Sequence, residues 1–172
     1  MQNYLSKIVV VILAVLLLYI HPTIRIAQNY DDKTQIYVMN KVTRFVDSAR
    51  NGGYIDINMM MTLNKQLAAT GNVYKIKITH EHKSFYPVYD DAGEFTGKSQ
   101  MTYKDTFEDV ILDEIYNGDG EYTMTEGDQL SVSVTTSAPT FAQKIYSMVT
   151  NTMKEGPAIN VCYGGRVRDD LH

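Results

Sequence analysis

Several routes to function are closed by what this chain lacks. Its single cysteine, Cys162, cannot form an internal disulfide, so cysteine usage does not fix a redox compartment. There is no surplus of positive charge. The formal net charge is −4, and beyond Ala27 14 basic residues stand against 20 acidic ones, a net of −6. A surface that acidic does not track phosphate backbones or anionic lipid heads, which argues against nucleic acid as a partner. No GxSxG, HExxH, Walker loop or dinucleotide fingerprint occurs, and no repeat or low-complexity linker interrupts the chain. What is present is globular in composition, with 44% hydrophobic against 21% charged residues. At 172 residues there is room for one ordinary domain and a short appendage.

The appendage is an N-terminal apolar run, Ile8, Val9, Val10, Val11, Ile12, Leu13, Ala14, Val15, Leu16, Leu17, Leu18, Tyr19 and Ile20. As a helix it covers roughly 20 Å of a hydrocarbon layer about 30 Å thick. Tyr4 and Leu5 lengthen it on one side, with the Lys7 ammonium free to snorkel to the interface. On the other side Thr23 to Ala27 continue the helix through Pro22, where a kink is expected because proline removes a backbone bond. A cleaved signal peptide and a buried core helix are the alternatives. Cleavage is poorly served, because the best site, after Ala27, has Arg25 at the −3 position. The reading is therefore a retained single-pass anchor contacting membrane lipid. Lys7 before the run and Asp31 and Asp32 after it give a slight bias toward a cytoplasmic N-terminus and an extracytoplasmic head.

Three regions are expected: an anchor helix over 1–27, an amphipathic helical continuation over 28–53, and a head over 54–172. Val38, Val42, Phe45 and Ala49 form one helical stripe, with Ile36, Met39 and Val46 beside it, and Asn51-Gly52-Gly53 stops it. Asp56 caps a second helix containing Met60, Met61 and Leu67, where the methionines read as core. Tyr74, Ile76 and Ile78 alternate as a half-buried strand. Phe85 to Tyr89 reads as an edge strand because of Pro87, with Lys98 to Tyr103 as its partner. Asp105 to Glu108 resembles a capping box for a helix whose inward residues would be Phe107, Val110, Ile111 and Ile115. Tyr122 to Met124 and Leu130 to Thr136 read as a hairpin. Phe141, Ile145, Met148 and Val149 read as the inward face of a helix after Pro139. Ala158 to Val167 is a last strand, with a bulge expected at Gly164-Gly165. Short strands, polar on one face, interleaved with helices predict an α+β fold, an antiparallel sheet backed by helices.

Three clusters invite a functional reading. His80 and His82 share a strand face and could reach one zinc, but no third ligand is evident near them. The local reading is a strand end turning to solvent. Asn117, Asp119, Glu121, Thr123 and Asp128 imitate the oxygen spacing of a calcium loop, yet Tyr122 stands where that loop needs glycine. Cys162, in mid-strand, reads as a small buried thiol. The carboxylate pairs Asp90-Asp91 and Asp169-Asp170 read as solvated. The expectation is no catalytic residue, no cofactor and no metal site.

The order of parts, a short apolar helix, a proline, an amphipathic continuation and a small α+β head, resembles type IV pilins and pseudopilins. It is most similar to the minor pseudopilin class of tight-adherence (Tad) pilus loci, as found in clostridia-type bacteria. The stretches carrying the likeness are Phe45 to Ile55, Leu67 to Tyr74 and Tyr163 to Asp169. The segment Met1 to Lys7 contains neither the glycine of a prepilin-peptidase site nor the glutamate usual at the start of a pilin's apolar run. The resemblance implies a non-enzymatic structural subunit of a cell-surface filament or its assembly complex, with itself or other pilus-type subunits as partners. In that role Ile8 to Ile20 and Pro22 would make the helix contacts. A monomeric anchored domain that binds or senses a ligand is the alternative, resting on the long tyrosine-bearing segment from Tyr86 to Tyr103.

Overall fold

A computed structural model describes residues 2–152 and 158–168 of the chain. One helix, α1 (Gln2–Gly52), takes up nearly a third of it and passes through Pro22 without a break in helical structure. Its 51 residues extend roughly 75 Å at 1.5 Å per residue. Its C-terminal half belongs to the head. Val38, Val42, Val46 and Ala49 are fully buried and Phe45 nearly so, while Ile36 and Met39 remain exposed. Gly53, at φ 73°, ends the helix, and its N–H donates to the Ala49 carbonyl at 2.9 Å.

The head follows in the order β1 (Tyr54–Asp56), α2 (Ile57–Ala68), β2 (Tyr74–Tyr89), β3 (Phe95–Phe107), α3 (Glu108–Asn117), β4 (Glu121–Thr123), β5 (Gln129–Thr136), α4 (Phe141–Thr150) and β6 (Asn160–Arg166). The main sheet runs β3-β2-β5-β6, and β1 pairs with β4 in a separate two-stranded sheet; every pairing is antiparallel. The fold is α+β. Leu130, Val132 and Val134 of β5 are fully buried while Ser131, Ser133 and Thr135 face the other way, the period-two alternation of a sheet covered on one side. The covered face meets the C-terminal half of α1, with Leu63 and Leu67 of α2 and Ile111 and Ile115 of α3 completing the core.

One local expectation holds directly. Asp56 caps α2, its carboxylate accepting from the Met59 N–H at 2.6 Å. The chain from Asp90 to Gly93 is a turn in which Asp90 accepts from the N–H groups of Ala92 and Glu94. Of the methionines, Met60 is buried but Met61 is exposed.

Others are corrected. Asp105 and Thr106 do not cap a helix. They extend β3 opposite β2, with Thr79 facing Phe107 in the ladder, and α3 starts at Glu108 with no side-chain cap. Cross-strand pairing has overridden the local capping signal, leaving Glu108 and Asp109 to face the positive helix end. Ile111 and Ile115 point inward as expected; Phe107 and Val110 do not. Tyr122 to Met124 forms no hairpin with β5, because β4 pairs with β1, placing Tyr122 opposite Ile55. In α4 the expected inward face is open: Phe141, Met148 and Val149 are exposed and Ala142 is buried. That helix docks through its cap. Thr140 forms a capping box with Gln143 and donates its hydroxyl proton to Asp31 of α1 at 2.6 Å.

Phe85 to Tyr89 is no separate strand but the continuation of β2, which pairs with β5 only as far as Glu81 and with β3 as far as Tyr89. Pro87 therefore falls where β2 has one neighbour, as its missing donor requires. Gly164 and Gly165 form no bulge either. Their ladder with β5 is regular, Leu130 opposite Gly165 and Ser131 opposite Gly164.

Candidate functional site

Two features of the described residues stand out from an ordinary small domain. The first is the N-terminal half of α1. Ile8 to Leu18 are each half to three-quarters exposed apart from the small Ala14, Ile20 is half-buried and Pro22 exposed. The best 18-residue window has a mean hydropathy of 2.3, none of it buried. This is one helix long and apolar enough to cross a membrane, and its exposure separates it from a core helix. Each large aliphatic side chain withdrawn from water contributes about 1.5–3 kcal/mol, so transfer of this bare face to an apolar surrounding is favourable.

The second is a cluster at the junction of the two sheets. His80 lies on β2 at the point where the strand has neighbours on both sides, opposite Leu130 of β5 and Thr106 of β3. It points to the covered face and is 4% exposed. His82, two residues on and thus on the same face, has a side chain 45% exposed. Asp128 arrives from a turn just before β5 and is 1% exposed. The turn is pinned twice: the Asp128 N–H donates to the Thr125 carbonyl at 3.1 Å, and the Val167 N–H donates to the Asp128 carbonyl at 2.8 Å.

The contacts converge on one carboxylate. Asp128 Oδ2 lies 2.9 Å from His80 Nε2 and 3.0 Å from His82 Nδ1, and accepts from the Thr125 N–H at 2.9 Å. Oδ1 accepts from the Lys83 N–H at 2.9 Å. On its other side His80 Nδ1 meets the Tyr122 hydroxyl at 2.6 Å. Burial acts to raise the Asp128 carboxyl, but the Lys83 and Thr125 amides and the two imidazoles outweigh it and hold the group below its ordinary value. Burial pushes the Tyr122 phenol up.

The histidine pair therefore does not simply turn to solvent. The carboxylate that joins it is Asp128, 46 residues from His82 in sequence. A calcium loop is not what Asp128 serves: its carboxylate faces His80, His82 and Lys83 of β2, while Glu121 and Thr123 lie in the β4 ladder. Cys162 is exposed, contrary to expectation. It stands opposite Ser133 on the uncovered face, its thiol 3.9 Å from the Ser131 hydroxyl, so the sheet separates it from His80. Asp90 and Asp91 are exposed, whereas Asp169 and Asp170 lie outside the described residues. No known protein family, curated protein or solved structure matches the chain.

Proposed function

We propose that the protein is a non-enzymatic, membrane-anchored structural subunit of pilin-like type, held by Ile8 to Ile20 and presenting its head outside the cytoplasm. The observation that carries this reading is the division of labour along one continuous helix. Residues before Ala27 expose apolar side chains along the rod, while Val38 to Ala49 form part of the head's core. A helix built this way transmits position rigidly from bilayer to head. Its bare half can exchange lipid for like helices with little change in apolar burial. Pilin-type assembly uses that exchange, and the resemblance in Phe45 to Ile55 lies where the rod passes into the head.

The test is made on membranes. Full-length protein should fractionate with them, and its N-terminal sequence should still include Ile8 to Ile20. Photo-crosslinkers placed along Val9 to Leu17 should capture a second copy or another pilus-type subunit. A mature terminus at Gln28 would overturn the anchor and the subunit reading together, and crosslinks to lipid alone would overturn the second.

A ligand-binding or sensing role keeps one specific support. The segment from Tyr86 to Tyr103 is not a loop but a two-stranded ribbon of β2 and β3 extending past β5, carrying exposed Tyr86, Tyr89 and Phe95. Deleting the ribbon tip while preserving crosslinking through the rod would assign it to recognition and not assembly.

A further inference from the structure

We propose that His80, His82 and Asp128 form a binding site for a divalent transition cation of the Zn²⁺ class, with His80 Nε2, His82 Nδ1 and Asp128 Oδ2 as ligand atoms. This goes beyond the structural-subunit reading and does not depend on it. Two imidazole nitrogens and one carboxylate oxygen, all within 4.8 Å of one another, are the donor set that borderline divalent ions take.

The spacing fits. The two nitrogens lie 2.9 and 3.0 Å from the shared oxygen. Tetrahedral zinc, with bonds of about 2.0–2.2 Å, spaces its ligand atoms at roughly 3.3 Å. The two nitrogen–oxygen distances need to open by only a few tenths of an ångström, and the two nitrogens, within 4.8 Å of each other, settle by rotation of the half-exposed His82 ring.

Without an ion the arrangement is crowded. Oδ2 has two imidazole nitrogens and the Thr125 amide directed at it, while Oδ1 serves the Lys83 amide alone. An ion replaces two converging N–H groups with two lone pairs.

The surroundings resemble a held site. Tyr122, on the other sheet, meets His80 Nδ1 at 2.6 Å, and its hydroxyl oxygen can accept a hydrogen bond from Nδ1–H when Nε2 binds the ion. An outer hydrogen bond of this kind fixes tautomer and ring orientation. His82 supplies the entrance: it is the one half-exposed member beside two buried ones. Three protein ligands with one open edge leave a coordination position for water or for a donor from a partner surface.

The experiment uses tag-free, full-length, chelator-treated protein in detergent and adds Zn²⁺ alone. Calorimetry should show one ion per chain at micromolar affinity or tighter, with a melting temperature raised by several degrees. His82→Ala, at the half-exposed position, should weaken binding at least 100-fold. Absence of stoichiometric binding up to 100 µM free Zn²⁺ would overturn the proposal, as would undiminished binding by folded His82→Ala. If that variant does not fold, Co²⁺ added to the unaltered protein decides. Intense visible bands of four-coordinate nitrogen and oxygen ligation, without a thiolate charge-transfer band, support the site. The pale spectrum of octahedral Co²⁺, or a thiolate band from Cys162, overturns it.

Discussion

The Arg50 guanidinium occupies the space a side chain at Gly165 would need. A Cβ at Gly165 would stand 2.6 Å from Arg50 Cζ. Arg50 is buried where α1 ends against β6, with Nε donating to the Arg166 carbonyl at 2.7 Å and Nη1 bonded to Asp47 at 3.1 Å. The head is thus fastened to its rod by a charged side chain laid across a glycine. Gly165→Ala should destabilise the head by about 1–3 kcal/mol, as overpacking does. In the Arg50→Ala background the same change should have less effect, because the obstructing group is gone. Chemical denaturation of the four proteins of this cycle measures that coupling. Gly164→Ala meets backbone, the Leu130 carbonyl oxygen at 2.7 Å, and Arg50→Ala should not rescue it.

Charge placed on the rod and in the core should fail in different ways. On the anchored reading, Val15→Arg turns half-exposed Val15 of the bare helix into a charge in mid-bilayer, at a difference of about 3 kcal/mol on insertion scales. The expected outcome is released or poorly accumulated protein. Val132 is fully buried in β5, and Val132→Arg should unfold the head by more than 4 kcal/mol while leaving the helix in the membrane. Fractionation together with protease sensitivity separates the two outcomes.

Asp128 joins the start of β5 to β2 through His80, His82 and the Lys83 N–H, and holds its own turn through the Thr125 N–H. Asp128→Ala strands buried N–H groups at about 1–3 kcal/mol each, so a loss of roughly 3 kcal/mol or more is expected by urea titration. The sign of the pH effect in metal-free protein follows from the lowered carboxyl. The unfolded group titrates near 3.8 and the folded one below it, so the folded state binds fewer protons in that window. Its contribution to stability is fully present above that value and lost as pH falls through the folded one. Asp128→Asn should flatten the acid limb of the stability curve.

Cys162 offers a direct check on the sheet's orientation. It lies on the open face with Ser131 and Ser133, so a thiol reagent should modify one group per chain in the native protein without denaturant. If labelling occurred only on unfolding, the covered and open faces would be wrongly assigned.

Short-range pattern sufficed for the apolar run, for the stripe of Val38, Val42, Phe45 and Ala49, for the alternation of Leu130, Val132 and Val134, and for the Asp56 cap. Each depends on residues within about one or two turns or a single strand, where period and capping chemistry act directly. Partner choice does not. Tyr122 pairs toward Ile55 and not toward β5, and Asp105 enters a ladder instead of a cap. Those outcomes compare the free energy of local bonds with that of sheet pairs closed over long loops. The face of α4 was illegible because its docking is set by Thr140 reaching Asp31 across 109 positions. The histidine cluster shows the same division. The sequence by itself determined that His80 and His82 share a face, because side chains two apart on a strand must. Only the tertiary structure decided that Asp128 closes the cluster and that Tyr122 orients it. Convergence of side chains 42 to 48 residues apart is a matter of register between strands, and a shift of one residue would send them to opposite faces.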